Sequence, residues 1–312
     1  MTNTLKSHCK INLGLKILGK DKNNYHKIES LVLKLNLHDE INISPNKTSE
    51  NKITFCQTKD IINTKDNTIS KALDLITSLA KGQNITIPKY DIDVVKQVPS
   101  LSGLAGGSAN GTTVYKYLFE KYLAKKLQFN QNALAKIGMD CVLFAQNSQL
   151  CLLSELGDIV EHEESFLTLE ELAKLKLFLS TIEVFLFIPK SYRKQSTGEM
   201  YKALNLSTDT LLQAPNYKQK ITEVLLKSKD ASEFLAMLNK LVLQNDFLDT
   251  VKKQSIDIAS LSQFCSINKI AHGLSGSGSA IFILGQKGYY NIADFADCSS
   301  DFTIIKTTPM LY

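Results

Sequence analysis

The sequence predicts an α+β fold, and three observations carry that reading. Segments of strict apolar alternation, the mark of strands, are interspersed with amphipathic runs at helical spacing. The two kinds do not follow one another as regular strand–helix units, which disfavours a doubly wound parallel sheet. Two glycine-rich loops, SLSGLAGGSANGTT and GLSGSGS, each run directly into an ordered element. A chain of 312 residues buries a good core and is long enough for two domains, although a single domain is compatible with that length.

The elements follow in order. KINLGLKI places Ile11, Leu13, Leu15 and Ile17 on one face and Lys10, Asn12, Gly14 and Lys16 on the other, the pattern of a half-buried strand. KDKNN reads as a turn, and Leu31, Leu33, Leu35 and Leu37 alternate again as a second strand. Asp66–Leu79 reads as a helix whose apolar positions are Ala72, Leu73, Leu75, Ile76 and Leu79. ITIPKYDIDVVKQVP supplies short strands that run into the first glycine loop, after which Val114, Tyr117, Leu118 and Tyr122 mark a helix. QLCLLS and GDIVEHEE form a hairpin around Glu155–Asp158. The expected boundary follows: residues 1–160 make one domain and 161–312 another. In the second, Leu167–Phe178 is helical and TIEVFLFIP is a strand. Glu223–Leu226 is a short helix, and Ala231–Leu243 is a helix with a stripe of Phe234, Leu235, Leu238, Leu241 and Val242. The loop Gly273–Ser279 leads into the strand AIFIL. No internal repeat or low-complexity tract interrupts this order.

Hydrophobic residues at 44% and charged residues at 21% are those of an ordinary soluble globular protein. The formal charge of +5 comes almost wholly from lysine, Arg193 being the only arginine. The lysines form no block and few sit among aromatics, so the expectation is no nucleic-acid partner. Cysteines stand at 9, 56, 141, 151, 265 and 298 with no CxxC and no nearby histidine pair, which argues against a zinc site. A reduced, cytoplasmic compartment is expected. No apolar run approaches the roughly 20 residues of a membrane span, and MTNTLKSHCK is too short and polar for a signal sequence, so no membrane partner is expected.

The first glycine loop carries the clearest chemistry. Glycine admits backbone N–H groups to a ligand without a Cβ in the way, and a helix N-terminus adds orphan donors and partial positive charge. A glycine loop that opens a helix therefore suits a phosphate, the alternative being a plain turn with tight packing. It is not a Walker A loop, because no GK[ST] ends it. GLKILGKD, Gly14–Asp21, comes nearer that pattern, but its spacer is strand-like and Asp21 stands where Ser or Thr is required. No GxGxxG follows a strand. Lys10 taken alone reads as a solvated strand edge. Asp140, in KIGMDCVLF, enters an apolar run and needs a partner, as a helix cap, as half of an ion pair or as a functional acid. Tyr25-His26 ends the polar turn, and such a pair alone is ordinary surface.

Together these pieces match one pattern. KINLGL with YH after a short turn, PSLSGLAGGSANGTT, GMDCVLF and GLSGSGSAIF occur in the order of the motifs of the GHMP kinases. DNTISKAL (Asp66–Leu73), STGEMYKAL (Ser196–Leu204) and QNDF (Gln244–Phe247) are fainter echoes. The chain thus resembles the GHMP kinase superfamily of small-molecule ATP kinases over nearly its whole length. Within it the KINL…YH pairing is most similar to the branch that acts on a cytidine-diphosphate-linked methylerythritol. Several positions depart from the pattern. His8-Cys9 stand for Pro-Ala, Asn24 for glycine, and Leu101, Ser102 and Ala105 for loop glycines. Ala109 stands for a serine, and Cys141-Val142 for Val-Pro.

The resemblance implies a two-domain fold, a ribosomal-protein-S5-like domain followed by a ferredoxin-like α/β plait. It implies transfer of the γ-phosphoryl group of ATP, with Mg²⁺, to the 2-hydroxyl of the substrate in the non-mevalonate isoprenoid pathway. Lys10 and Asp140 would be catalytic. ATP would be held by Asn67, Lys96 and the run Gly103, Leu104, Ala105, Gly106, Gly107, Ser108, Ala109 and Asn110, with Ser108 also a magnesium contact. The small-molecule substrate would meet Asn12, Tyr25, His26, Thr197, Tyr201, Ser275, Gly276, Ser277 and Gly278. The rival readings are a GHMP kinase for homoserine, a sugar or mevalonate, a non-catalytic nucleotide-binding regulator, and an RNA-binding protein. A monomer or weak homodimer is expected.

Overall fold

The structure is a computed structural model that describes residues 2–58, 62–192, 196–204 and 213–312. It is a mixed α+β chain, as the order of elements predicts. By contact density it divides into two compact units that do not follow chain order. The first takes the chain up to Cys9, then Leu37–Ser100 and Ala105–Asn147; the second takes Lys10–Asn36, Leu101–Leu104 and Ser148–Tyr312. The boundary expected after residue 160 is a cut by sequence. Contacts instead group Lys10–Asn36 and the hairpin before residue 160 with the later residues.

Strand β1 (Asn3–Lys20) belongs to the first unit through Cys9, and β2 (His26–Pro45) from Leu37. The first unit continues with β3 (Lys52–Cys56), α1 (Thr68–Lys81), β4 (Tyr90–Val95), α2 (Gly106–Tyr122), a 3-10 turn (Gln131–Lys136) and α3 (Met139–Ala145). Strand β4 lies between an antiparallel β2, with Ile43 opposite Ile92, and a parallel β3, with Ile53 beside Ile92. A parallel pair needs a crossover, and α1 provides it. Asn67 starts that helix: its Oδ1 accepts the N–H groups of Ile69 and Ser70, while the Ser70 hydroxyl accepts the N–H of Asn67. Helix α1 buries Ile69, Ala72, Leu73, Ile76 and Ala80; Leu75 and Leu79 are only half covered. Helix α2 buries Val114, Tyr115, Leu118 and Phe119. Tyr117 and Tyr122, read as its apolar face, are half-buried because their hydroxyls go to Asn3 and Tyr90.

The second unit adds β5 (Leu150–Ser154), β6 (Ile159–His162), α4 (Leu169–Ser180), β7 (Ile182–Pro189), α5 (Thr197–Ala203), α6 (Tyr217–Lys227), α7 (Ala231–Leu241), α8 (Leu248–Gln254), α9 (Ile256–Ile267), β8 (His272–Leu274), β9 (Ile281–Gln286), a 3-10 segment (Ile292–Cys298) and β10 (Phe302–Thr307). The hairpin β5–β6 is as expected, with Ser154 opposite Ile159. The four-stranded sheet has the order β10-β7-β9-β8, every pair antiparallel. Numbered from β7, that is 4-1-3-2, the order of a ferredoxin-like plait. One face of it, Phe185, Phe187, Ile281 and Ile283, packs on Val251, Ile258, Leu261 and Cys265 of α8 and α9.

Strand β1 is not half-buried through its middle. Residues 9–15 are buried on both faces. The face with Lys10, Asn12 and Gly14 is covered because Gly14 lies under the Tyr217 ring with no room for a Cβ, and because the loop Leu101–Leu104 docks there, Leu104 O accepting the Lys10 N–H at 3.1 Å. Gly14–Lys20, the false phosphate-loop match, is strand throughout. Among the described residues no helix is long and apolar enough to cross a membrane.

Candidate active site

In the first unit, residues 105–110 open α2. Ala105 is its N-cap in a left-handed conformation, φ 57° and ψ 27°, and makes no side-chain cap. The Ala109 N–H already donates to Ala105 O at 3.0 Å. The donors left to a ligand by helix geometry are therefore those of Gly106, Gly107 and Ser108. Ala109 and Asn110 are turned inward, 1% and 2% exposed. Helix α1 starts beside this turn: the Thr68 hydroxyl donates to Gly107 O, and a Cβ on Gly111 would lie 2.7 Å from Thr68 O. Asn67 sits at that start, with its amide engaged in capping and in a 2.8 Å bond to Asn63 O.

Lys96 follows β4, and its ammonium is paired with Asp39, a carboxylate with no exposure at all. Asp39 also accepts the N–H groups of Gln97 and Val98, each at 2.8 Å, and the Asn110 amide at 2.9 Å. Sequence reading missed this residue. Four donors on one buried acid tie the end of β4 to the second turn of α2, and they offset the cost of burying the charge. A Cβ on Gly106 would lie 2.8 Å from Val98 Cγ1 and 3.5 Å from Lys96 Nζ, so this glycine is required by the approach of that segment.

Asp140 is half-buried in the first turn of α3. Two bonds fix α3 on α2: Thr112 Oγ1 donates to Cys141 O at 3.0 Å, and Cys141 Sγ donates to Ser108 O at 3.5 Å. Burial pushes the Cys141 thiol up to about 11, so it stays a protonated donor. The segment that carries Asp140 is thereby held beside Ser108, whose Oγ lies 3.9 Å from where a Cβ of Gly138 would stand.

The second unit gathers the other predicted residues. Lys10 is not a solvated edge: it is 3% exposed, and its Nζ donates to Asn12 Oδ1 at 2.5 Å and to Gly103 O at 2.7 Å. Asn12 in turn donates to the Ser30 hydroxyl at 2.8 Å, which donates to Gly14 O at 2.6 Å. Gly103 has φ 83°, and a Cβ there would run into the Ser275 carbonyl. Ser275 Oγ donates to Gly103 O at 2.9 Å, the Ala280 N–H donates to Ser102 O at 2.9 Å, and a Cβ on Gly276 would be 3.4 Å from Lys10 Nζ. The two glycine loops therefore meet at Lys10 through Gly103, Ser275 and Gly276. Ser277 Oγ donates to Thr197 Oγ1 at 3.4 Å, and Gly278, φ 87°, completes the loop.

Tyr25 is 62% exposed at the end of a turn organised by Asp21, whose carboxylate accepts the N–H groups of Asn23 and Tyr25. The His26 ring stacks on Tyr201 at 4.5 Å between centroids and 19° between planes, and Tyr201 meets Phe247 edge-on. Partial burial, then the charge of Lys20, holds the His26 ring below its ordinary value, so it is neutral at pH 7. Among the described residues no group of three or more His, Cys, Asp or Glu is placed to hold a metal.

No protein-family model matches the chain. A curated relative, the 4-diphosphocytidyl-2-C-methyl-D-erythritol kinase of Pelagibacter ubique (strain HTCC1062), is 32% identical over 238 residues, 76% of this chain and 76% of its own. The chain belongs to the 4-diphosphocytidyl-2-C-methyl-D-erythritol kinase family. Solved structures agree on the fold. A 4-(cytidine 5'-diphospho)-2C-methyl-D-erythritol kinase superposes with a TM-score of 0.66 at 19% identity, covering 99% of this chain and 100% of that one. A mevalonate kinase reaches 0.63 at 15% identity with the same coverages, so the GHMP fold by itself does not select a substrate.

Against the kinase pattern the departures acquire a physical meaning. Where that pattern places glycines, this chain keeps a left-handed backbone with other residues: Asn24 at φ 67°, Leu101 at φ 56° and Ala105 at φ 57°. Asparagine tolerates that region, whereas leucine and alanine are strained in it by roughly 1–2 kcal/mol. Ser102 instead contributes its carbonyl to Ala280.

Proposed function

We propose that the chain transfers the γ-phosphoryl group of ATP to the 2-hydroxyl of 4-diphosphocytidyl-2-C-methyl-D-erythritol. The observation that carries the reading is the 32% identity over three quarters of both chains with the Pelagibacter kinase. Such a transfer is positioning and charge stabilisation more than covalent chemistry. In this reading Asp140 accepts the proton of the attacking hydroxyl, and Lys10 offsets negative charge on the transferring group. The amides of Gly106, Gly107 and Ser108, at the positive end of α2, hold the nucleotide phosphates. The Asp39–Lys96 pair and Asn67 shape the nucleoside end.

Ser108 presents a hard oxygen ligand of the kind magnesium prefers, and it is the residue proposed to hold the ion with the nucleotide. When bound, magnesium neutralises phosphate charge. On the substrate side Tyr25 offers an open face for the cytosine ring. Neutral His26, fixed by Tyr201, has one donor and one acceptor nitrogen for the base edge. Asn12, Thr197 and the Ser275–Gly278 loop hold the remaining polar groups.

The test is phosphorylation of 4-diphosphocytidyl-2-C-methyl-D-erythritol by the purified chain with Mg-ATP, the product identified by mass, beside homoserine and mevalonate as competing acceptors. Asp140→Asn lowers kcat by about 10²–10⁴-fold with ATP affinity near that of the parent. Undiminished turnover in that variant removes Asp140 from the chemistry, and preference for another acceptor overturns the substrate assignment.

A further inference from the structure

QNDF, Gln244–Phe247, lies between α7 and α8 and takes no part in the chemistry proposed above. Its backbone docks on β1: the Leu15 N–H donates to Gln244 O at 2.8 Å, and the Asp246 N–H donates to Leu15 O at 3.1 Å. The two side chains in the middle of the segment then do different things. Asp246 holds β1, accepting the Ile17 N–H at 2.9 Å and the Lys16 ammonium at 3.1 Å. Asn245 holds the second glycine loop. Its Nδ2 donates to Leu274 O at 2.7 Å and to Gly276 O at 2.8 Å, while its Oδ1 accepts the Phe247 N–H at 2.9 Å.

Both amide hydrogens and the amide oxygen are thus used, and the two carbonyls it holds flank Ser275. Ser275 donates to Gly103 O, the carbonyl that also receives the Lys10 ammonium, and a Cβ on Gly276 would stand 3.4 Å from Lys10 Nζ, so the loop backbone borders the ammonium there. Gly276 and Gly278 leave this loop little stiffness of its own. We infer that Asn245 is a positioning residue for Lys10, clamping the Leu274–Gly276 backbone so that Ser275 and Gly276 fix the seat of the ammonium. Only an amide fits this place. A carboxylate of the same shape would turn acceptors toward two carbonyl oxygens, and an aliphatic side chain would leave them unheld.

The inference rests on the kinase reading of Lys10, so its test compares neighbours within one protein. In the full chain, Asn245→Asp lowers kcat by about 100-fold, the order expected when a reacting group is displaced by about 1 Å, and leaves the KM for ATP within about threefold. Asn245→Ala, uncharged and smaller, gives the same kcat loss if the charged variant does not fold. In both, the amides of Ser275 and Gly278 exchange hydrogen faster than in the parent. Asp246→Asn lowers Tm but keeps kcat within about threefold at a temperature where it is folded. A kcat near that of the parent in the Asn245 variants, unchanged exchange in the loop, or an equal kcat loss in Asp246→Asn overturns the inference. A parent chain without turnover overturns the kinase reading instead, and the exchange rates then still decide whether Asn245 clamps the loop.

Discussion

The two glycine-rich loops use glycine for different reasons. In the first, the left-handed turns at 101 and 105 are made by leucine and alanine, with the left-handed Gly103 between them, while Gly106 and Gly111 sit in ordinary helical backbone and are small so that Val98 and Thr68 can approach. In the second, the left-handed positions are themselves glycines, Gly276 at φ 55° and Gly278 at φ 87°. The loops are also anchored differently. The first is tied by a side-chain hub, Asp39 with Lys96 and Asn110; the second by an amide and a hydroxyl on backbone carbonyls, Asn245 and Ser275. A glycine in a sequence therefore reports either a backbone angle or a close neighbour, and only the neighbour tells which.

Removing the charged anchor of the first loop has the largest effect. Asp39→Ala leaves the Lys96 ammonium buried without its counter-charge and costs about 3–5 kcal/mol in urea unfolding. A cost under about 1 kcal/mol shows the hub to be dispensable. Next is Gly103→Ala, where the conformational and close-approach roles of glycine coincide: φ is 83° and the Cβ would enter the Ser275 carbonyl. It costs about 3 kcal/mol, and a variant as stable as the parent refutes the described contact. Ala105→Gly goes the other way, raising stability by about 1 kcal/mol because it relieves a left-handed alanine. A loss there means that the turn is less strained than its angle implies.

The smallest effect is a pH slope beside the second loop. His272 precedes Gly273; its Nδ1–H donates to Ile270 O at 2.9 Å, and Ser262 Oγ donates to Nε2 at 3.2 Å. Burial foremost, and the charge of Lys252, hold this ring below 6.5 despite the opposing pull of the Ile270 carbonyl. Below 6.5 the unfolded chain takes a proton that the folded chain refuses, so stability falls with pH in that window until the lowered folded value is passed. His272→Gln shows a shallower fall between about pH 6.5 and 5 in thermal unfolding, and His26 keeps its own share of the slope. An identical slope removes His272 from the account.

Much of this was legible beforehand. Alternation located β1 and β2, short apolar runs located β5 and β7, and the amphipathic stripe located α1 and α7. The helix Leu167–Phe178 is shifted by two residues to α4, since Thr168 with Glu171 forms the capping box. Helices α8 and α9 and the strands β8 and β10 were not legible. β8 has three residues, and α9 carries Ile256, Phe264 and Ile267 exposed, so its pattern does not distinguish its buried side. Of the proposed site, the candidate residues came from motifs, but Asp39 and Asn245 were not given their parts. An acid in LHDEI and an amide in QNDF look like surface until their partners, more than fifty residues away in one case and about thirty in the other, are in place.

The amino-acid order alone determined where the strongly patterned strands and helices form, which loop opens a helix with free amides, and to which kinase family the motifs point. These depend on side-chain periodicity and on local backbone preference, and both are written in neighbouring residues. Tertiary structure alone decided that Lys10 is buried rather than solvated, that Asp39 and Asn245 are anchors, and that Gly111 makes room for Thr68. Each of those is a matter of which distant group supplies the matching donor, acceptor or empty volume, and desolvation gives that match its energy only once the chain has closed around it.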